Sequence, residues 1–182
     1  MGKLDKLQTI EARYLLGDHP KKEEMVYAFK ALEKSDSVDI ITIAANIVTQ
    51  STKRNLLKFI KKIPSYKLET QIAILPILAT TGHVESYSYL LEALKKETDL
   101  MVAKLYVAAL STTPYPVFPL VFANLNTENK TYRDNLKLIL KNIGFTALKP
   151  SLAMFTELPH EAHLRDIFGD KVIEELLSDI ET

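Results

Sequence analysis

Apolar residues recur along this chain at intervals of three and four, the spacing that lines one face of a helix. Leu4, Leu7, Ile10, Ala12 and Leu15 form the first stripe, and Met25, Val26, Phe29 and Leu32 the second. Ile40, Ile43, Ala44, Ile47 and Val48 follow, then Leu56, Leu57, Phe59, Ile60 and Ile63. Between the stripes lie short polar or breaking segments: Gly17-Asp18-His19-Pro20, Ser35-Asp36-Ser37, Ser51-Thr52 and Pro64. Such residues start, cap or stop helices. The pattern continues to the end of the chain and predicts about twelve helices in six antiparallel pairs. The pairs span 3–16 with 22–34, 37–50 with 52–63, 67–80 with 83–96, 98–111 with 115–126, 130–143 with 146–157, and 160–168 with 170–180.

A longer period overlies the short one. Ser51, Gly82, Thr113 and Gly144 are equally spaced, about 31 residues apart, each with an apolar stretch before it and another after it. A helical hairpin of that length cannot bury its apolar face alone, so the period predicts copies stacked on one another. Connectors of a few residues leave no room for a linker between domains, and the 182 residues read as one domain.

Composition narrows the function classes. Lys plus Arg and Asp plus Glu are 23 each, a balance that argues against broad electrostatic capture of nucleic acid or anionic membrane. With no cysteine, disulfides, thiol nucleophiles and thiolate-bound metals are excluded. The longest apolar run, Ile72 to Ala79, is too short to span a bilayer. The charged start, Met1-Gly2-Lys3-Leu4-Asp5-Lys6, lacks the apolar centre of a signal peptide, and Lys6 stands where a myristoylation motif wants Ser or Thr. A cytoplasmic location is the expectation.

The stretch Ala79-Thr80-Thr81-Gly82-His83-Val84-Glu85-Ser86-Tyr87-Ser88-Tyr89-Leu90-Leu91-Glu92-Ala93-Leu94 resembles the turn and second helix of a HEAT-like repeat. The preceding helix, apolar with Pro76 inside it, and the polar turn from Lys95 to Asp99 fit the same pattern. Most repeats depart from the family's consensus, and several lack the usual inter-repeat Asp and the Arg or Lys that partners it. The resemblance implies an all-α, α-α superhelical solenoid whose second helices line one concave face. Most such proteins are binding scaffolds. Some relatives act as tetrapyrrole lyases or chaperones, and some bind damaged DNA.

Three clusters are candidates for chemistry. Arg54, Lys58, Lys61 and Lys62, with Lys53 and Lys67 nearby, share one face of the second helix of pair two. That face suits an acidic peptide or a phosphate backbone, and its alternative is a merely solvated helix surface. Pro116-Val117-Phe118-Pro119-Leu120-Val121-Phe122-Ala123 is apolar all round, as is its neighbour from Ala147 to Phe155. Side by side, Phe118, Phe122, Met154 and Phe155 would line a groove for an amphipathic helix. If both sides are covered, the same residues are a buried central layer. His160 and His163 share a helix face, but lie three apart where the metalloprotease pattern needs four, and no metal site is expected. The tyrosines Tyr87, Tyr89, Tyr106, Tyr115 and Tyr132 read as helix–helix packing. Paired carboxylates such as Glu174-Glu175 read as solvated.

The sequence therefore predicts a non-catalytic, cofactor-free scaffold that docks a peptide or helix of another protein. Apolar residues of pairs four and five would supply affinity, and the basic face of pair two orientation. Nucleic-acid binding through that basic face is the first alternative. A ligand chaperone or lyase using His160 and His163 is the second.

Overall fold

The computed structural model describes residues 2–113 and 117–180. Pro114, Tyr115 and Pro116, the expected turn of pair four, lie outside the described residues, as does Glu181. Among the described residues there is no strand, and the α-helices number twelve. They are α1 Lys3–Leu15, α2 Lys22–Lys34, α3 Val38–Ser51, α4 Lys53–Lys62, α5 Leu68–Ala79, α6 Val84–Lys96, α7 Leu100–Ser111, α8 Phe118–Ala123, α9 Lys130–Ile143, α10 Phe145–Leu152, α11 Glu161–Phe168 and α12 Asp170–Ile180. A 3-10 turn, Ile63–Ser65, follows α4. None of these helices is long and apolar enough to cross a membrane.

The 31-residue period has a structural counterpart. The odd-numbered helices from α3 onward begin at Val38, Leu68, Leu100, Lys130 and Glu161, one every 31 residues or so. Ser51 ends α3, and Gly82, Thr113 and Gly144 each fall in the segment between an odd helix and the even one after it. Gly144 has φ 86° and joins α9 to α10 with no intervening residue. Only a residue without Cβ adopts that conformation cheaply.

Gly82, a residue type suited to end a helix in a left-handed cap, does not cap α5. Its φ of 72° is left-handed, but α5 has already ended two residues before it, at the C-cap Thr80. The hydroxyls of Thr80 and Thr81 donate to the carbonyls of Ile77 and Leu78, both at 3.0 Å. They satisfy carbonyls that a glycine cap would otherwise have served. Three helix starts carry a side-chain cap, whereas Ser37, at the expected cap of α3, makes no side-chain cap hydrogen bond. Thr52 accepts from the Asn55 amide, Asp99 from those of Met101 and Val102, and Asn129 from that of Tyr132.

The chain divides into two compact units, Met1–Tyr89 and Leu90–Thr182. In the first, α3 is central: α1 and α5 stand beside it, and α2 and α4 pack against it. The sequence explains this placement. Ala44 and Ala45 of α3 are completely buried, and small side chains let neighbouring helices approach closely. Ile41, Ile47 and Val48 fill the remaining space with Leu7, Leu32, Leu56, Phe59 and Leu78. In the second unit α9 takes the corresponding place, between α7 and α11, with α8 and α10 against it and α12 on α11. Its buried residues Tyr132, Leu136, Ile139 and Leu140 follow the three–four spacing, and they share the core with Leu110, Val121, Leu148, Leu164 and Ile173.

Polar side chains join like positions of successive pairs. Glu33 on α2 pairs with Lys62 on α4, and Lys137 on α9 with Asp166 on α11. Asp36 and Lys67 pair in successive turns, and Asn142 of α9 donates to Ser111 of α7. These partners lie 29, 29, 31 and 31 residues apart, close to the 31-residue spacing in the sequence. Lys53–Glu85 (α4 to α6) and Lys149–Asp179 (α10 to α12) add two more such ties.

Two helices are shorter than the periodicity predicts. Within 115–126 the described helix is Phe118–Ala123, and within 146–157 the helix stops at Leu152. Beyond Leu152 the amides of Met154 and Phe155 bond to carbonyls three residues back, at Ser151 and Leu152. Such tight three-residue turns close the end of the helix.

Candidate functional site

The first unit carries an open groove of about 740 Å³ between α2 and α4. Its walls follow from helix periodicity. Met25, Ala28, Phe29 and Leu32 turn into the core, which leaves Lys22, Val26, Lys30 and Glu33 on the adjoining stripe of α2. On α4, Leu56 and Phe59 turn inward, while Arg54, Asn55, Lys58 and Lys62 line the groove. The floor is apolar. Met25 and Phe29 are nearly covered, and Val26 remains 49% exposed. A second hollow of about 630 Å³ continues over α4, lined by Leu57 and by the cations Arg54, Lys58, Lys61 and Lys62.

The charges are unbalanced. Five cations line the main groove and Glu33 is the one carboxylate among its lining residues. Glu33 is already engaged. Its hydrogen bond from Lys62 holds the carboxyl below its usual range, and the charges of Lys34 and Lys58 reinforce this. Lys53 and Lys67 also have carboxylate partners, in Glu85 and Asp36. Among the described residues, Lys22, Lys30, Arg54, Lys58 and Lys61 form no ion pair with a carboxylate. The ammonium groups of Lys58 and Lys62 lie 4.9 and 5.7 Å from the centre of the Phe29 ring, where its π face attracts them. Lys6 stands over Tyr27 in the same way at 4.3 Å. Cations above an apolar floor can hold a ligand that is both anionic and apolar.

The four basic residues picked out by spacing thus sit together around connected hollows, although Lys62 is partly neutralised. The α2 wall was missed. Its signal was present in Lys22, Val26 and Lys30, a stripe at four-residue steps beside the core stripe, but nothing in the sequence sets that stripe against α4.

The apolar candidates separate. Phe122 is only 4% exposed, with its ring edge-on to Phe118 at 5.7 Å and to His160 at 5.8 Å. Phe118 is half-buried. Met154 is 85% exposed and, with Phe155, lies in the turn after α10 rather than on a helix. Among the described residues no ring contact links Phe155 to Phe118 or Phe122. On α8 the covered-layer alternative describes Phe122. Its apolar surroundings extend to the histidines. His160 stacks on His163 at 6.3 Å, and burial holds the His163 imidazole below its usual range, with Lys137, Arg133 and His160 adding to the effect.

Tyr87, Tyr106 and Tyr132 are buried, in keeping with a packing role, while Tyr115 lies outside the described residues. Tyr132 is the most deeply covered of these three. Its hydroxyl finds no hydrogen-bond partner among the described residues, and burial, with the charge of Glu92, pushes its pKa up to about 12. No protein-family model matches this chain, and no curated protein matches it.

Proposed function

We propose that this protein is a non-catalytic scaffold of HEAT-like helical pairs that binds a segment of another protein in the groove between α2 and α4 of its first unit. The like-with-like packing of odd helices within each unit supports the repeat reading, as do the side-chain ties one repeat apart. The groove between α2 and α4 carries the functional reading. It sets cations without carboxylate partners over an apolar floor, on rigid elements that lose little freedom when a partner docks. The cations steer and orient the partner, and the exposed Val26 supplies apolar contact. This moves the source of affinity away from Phe122, which the core already uses.

The test compares partners retained by the intact protein and by Arg54→Glu/Lys58→Glu, with and without nuclease. The reading expects a protein, recovered despite nuclease, lost with the double variant, and still binding when purified. Recovery that vanishes with nuclease favours the nucleic-acid alternative. Such binding would also fall far more steeply with salt, because each neutralised phosphate releases counterions.

A further inference from the structure

The groove also constrains what fills it, an inference that rests on the reading just given. We propose that its occupant is an acidic amphipathic helix of about three turns, laid lengthwise between α2 and α4, with its apolar side against the exposed Val26 and its carboxylates against the surrounding cations.

Three observations lead there. The first is dimension. The α2 wall runs from Lys22 to Glu33 and the α4 wall from Arg54 to Lys62, lengths of roughly 16 and 12 Å at the helical rise. Three turns of helix cover that distance. The second is backbone chemistry. Both walls are helices whose backbone groups are bonded within themselves, so an extended peptide would find no ladder to join. A helix brings its own backbone bonds and presents side chains alone. The third is the placement of charge. Lys22 and Lys30 belong to the α2 wall and Arg54 and Lys58 to the α4 wall. Carboxylates flanking an apolar stripe would meet both rows, with Arg54 and Lys58 one turn apart to match acids at i and i+4.

The ring chemistry argues against single-stranded nucleic acid. Bases need free aromatic faces to stack on. Phe29 is 7% exposed with two ammonium groups over its ring, and Tyr27 has that of Lys6.

The experiment measures fluorescence anisotropy of three labelled probes on the full chain. One is a peptide of about 14 residues with Leu at helical spacing and Glu on both flanks. The second has the same composition, scrambled to destroy the face. The third is a single-stranded RNA of similar charge. The proposal expects the patterned peptide to bind at least about tenfold more tightly than the scrambled one. It expects Arg54→Glu/Lys58→Glu and, separately, Val26→Asp each to weaken that binding by about tenfold or more, with unchanged helical circular dichroism. Val26 is exposed enough for the change to spare the fold. Equal binding of both peptides, lost together in the charge-reversed variant, overturns the helical occupant and leaves the basic groove as the binding seat. RNA binding more tightly than either peptide overturns the occupant and the protein-scaffold reading together, as does no binding of any probe.

Discussion

The α2–α4 groove of the first unit and the α8–α10 region of the second both stood out in the sequence, and the structure treats them oppositely. The basic residues of α4 stay on the surface around an open hollow. The aromatic residues of α8 do not behave alike, since Phe122 joins the core while Phe118 is half-buried. The difference has a physical cause. A lysine or arginine is costly to bury, so a helix with four of them on one side shows that side to solvent almost wherever it packs. A phenylalanine is stable in either place, and its position depends on which neighbours arrive.

The sharpest way to break this contrast is Phe122→Asp. A charge forced among Phe118, His160 and the α8–α9 core should cost about 4 kcal/mol or more and abolish cooperative thermal unfolding. A variant that keeps its helical signal and melting temperature would place Phe122 on the surface and restore it as a docking residue. The mirror experiment in the first unit is Arg54→Glu/Lys58→Glu. Here stability should stay within about 0.5 kcal/mol while binding of the patterned acidic peptide falls. A large loss of stability would turn the groove into part of the core.

Smaller effects sharpen the comparison inside the second unit. Tyr132→Phe removes a buried hydroxyl without a partner among the described residues, and should stabilise by about 1 kcal/mol, seen as a melting temperature higher by about 2–4 °C. A decrease would mean that the hydroxyl is bonded after all, for instance to a buried water. His163 has a folded-state pKa below its unfolded value, so the folded protein binds fewer protons than the unfolded chain. Its contribution is intact above the unfolded pKa of about 6.5 and is lost as pH falls below it. Denaturant midpoints should therefore drop between pH 7 and pH 5.5, and His163→Gln should flatten that slope. Least affected will be Met154→Ser, within about 0.5 kcal/mol in urea unfolding, because the side chain is almost fully exposed.

Much of the helical layout was legible in advance because it rests on local signals. The three–four spacing placed most helix boundaries within two residues, and the Thr52 cap acts on an amide three residues away. The α10 end was misjudged because Met154 and Phe155 continue the apolar composition, and composition alone does not tell a continuing helix from an exposed turn. At the groove, the sequence exposed the α4 half through its run of cations. The α2 half carries the same information in Lys22, Val26 and Lys30, but its role exists only opposite α4.

The residues alone determined that this chain is helical, where most of its helices start and stop, and that one face of α4 is basic. Each is a matter of neighbours within a few positions, where sterics, capping and charge act directly. Tertiary structure decided that Phe122 is covered while Met154 is not, and that α2 supplies the second wall of a groove. Those outcomes depend on helices that meet across about thirty residues of intervening chain, and the burial free energy that settles them belongs to the packed unit as a whole.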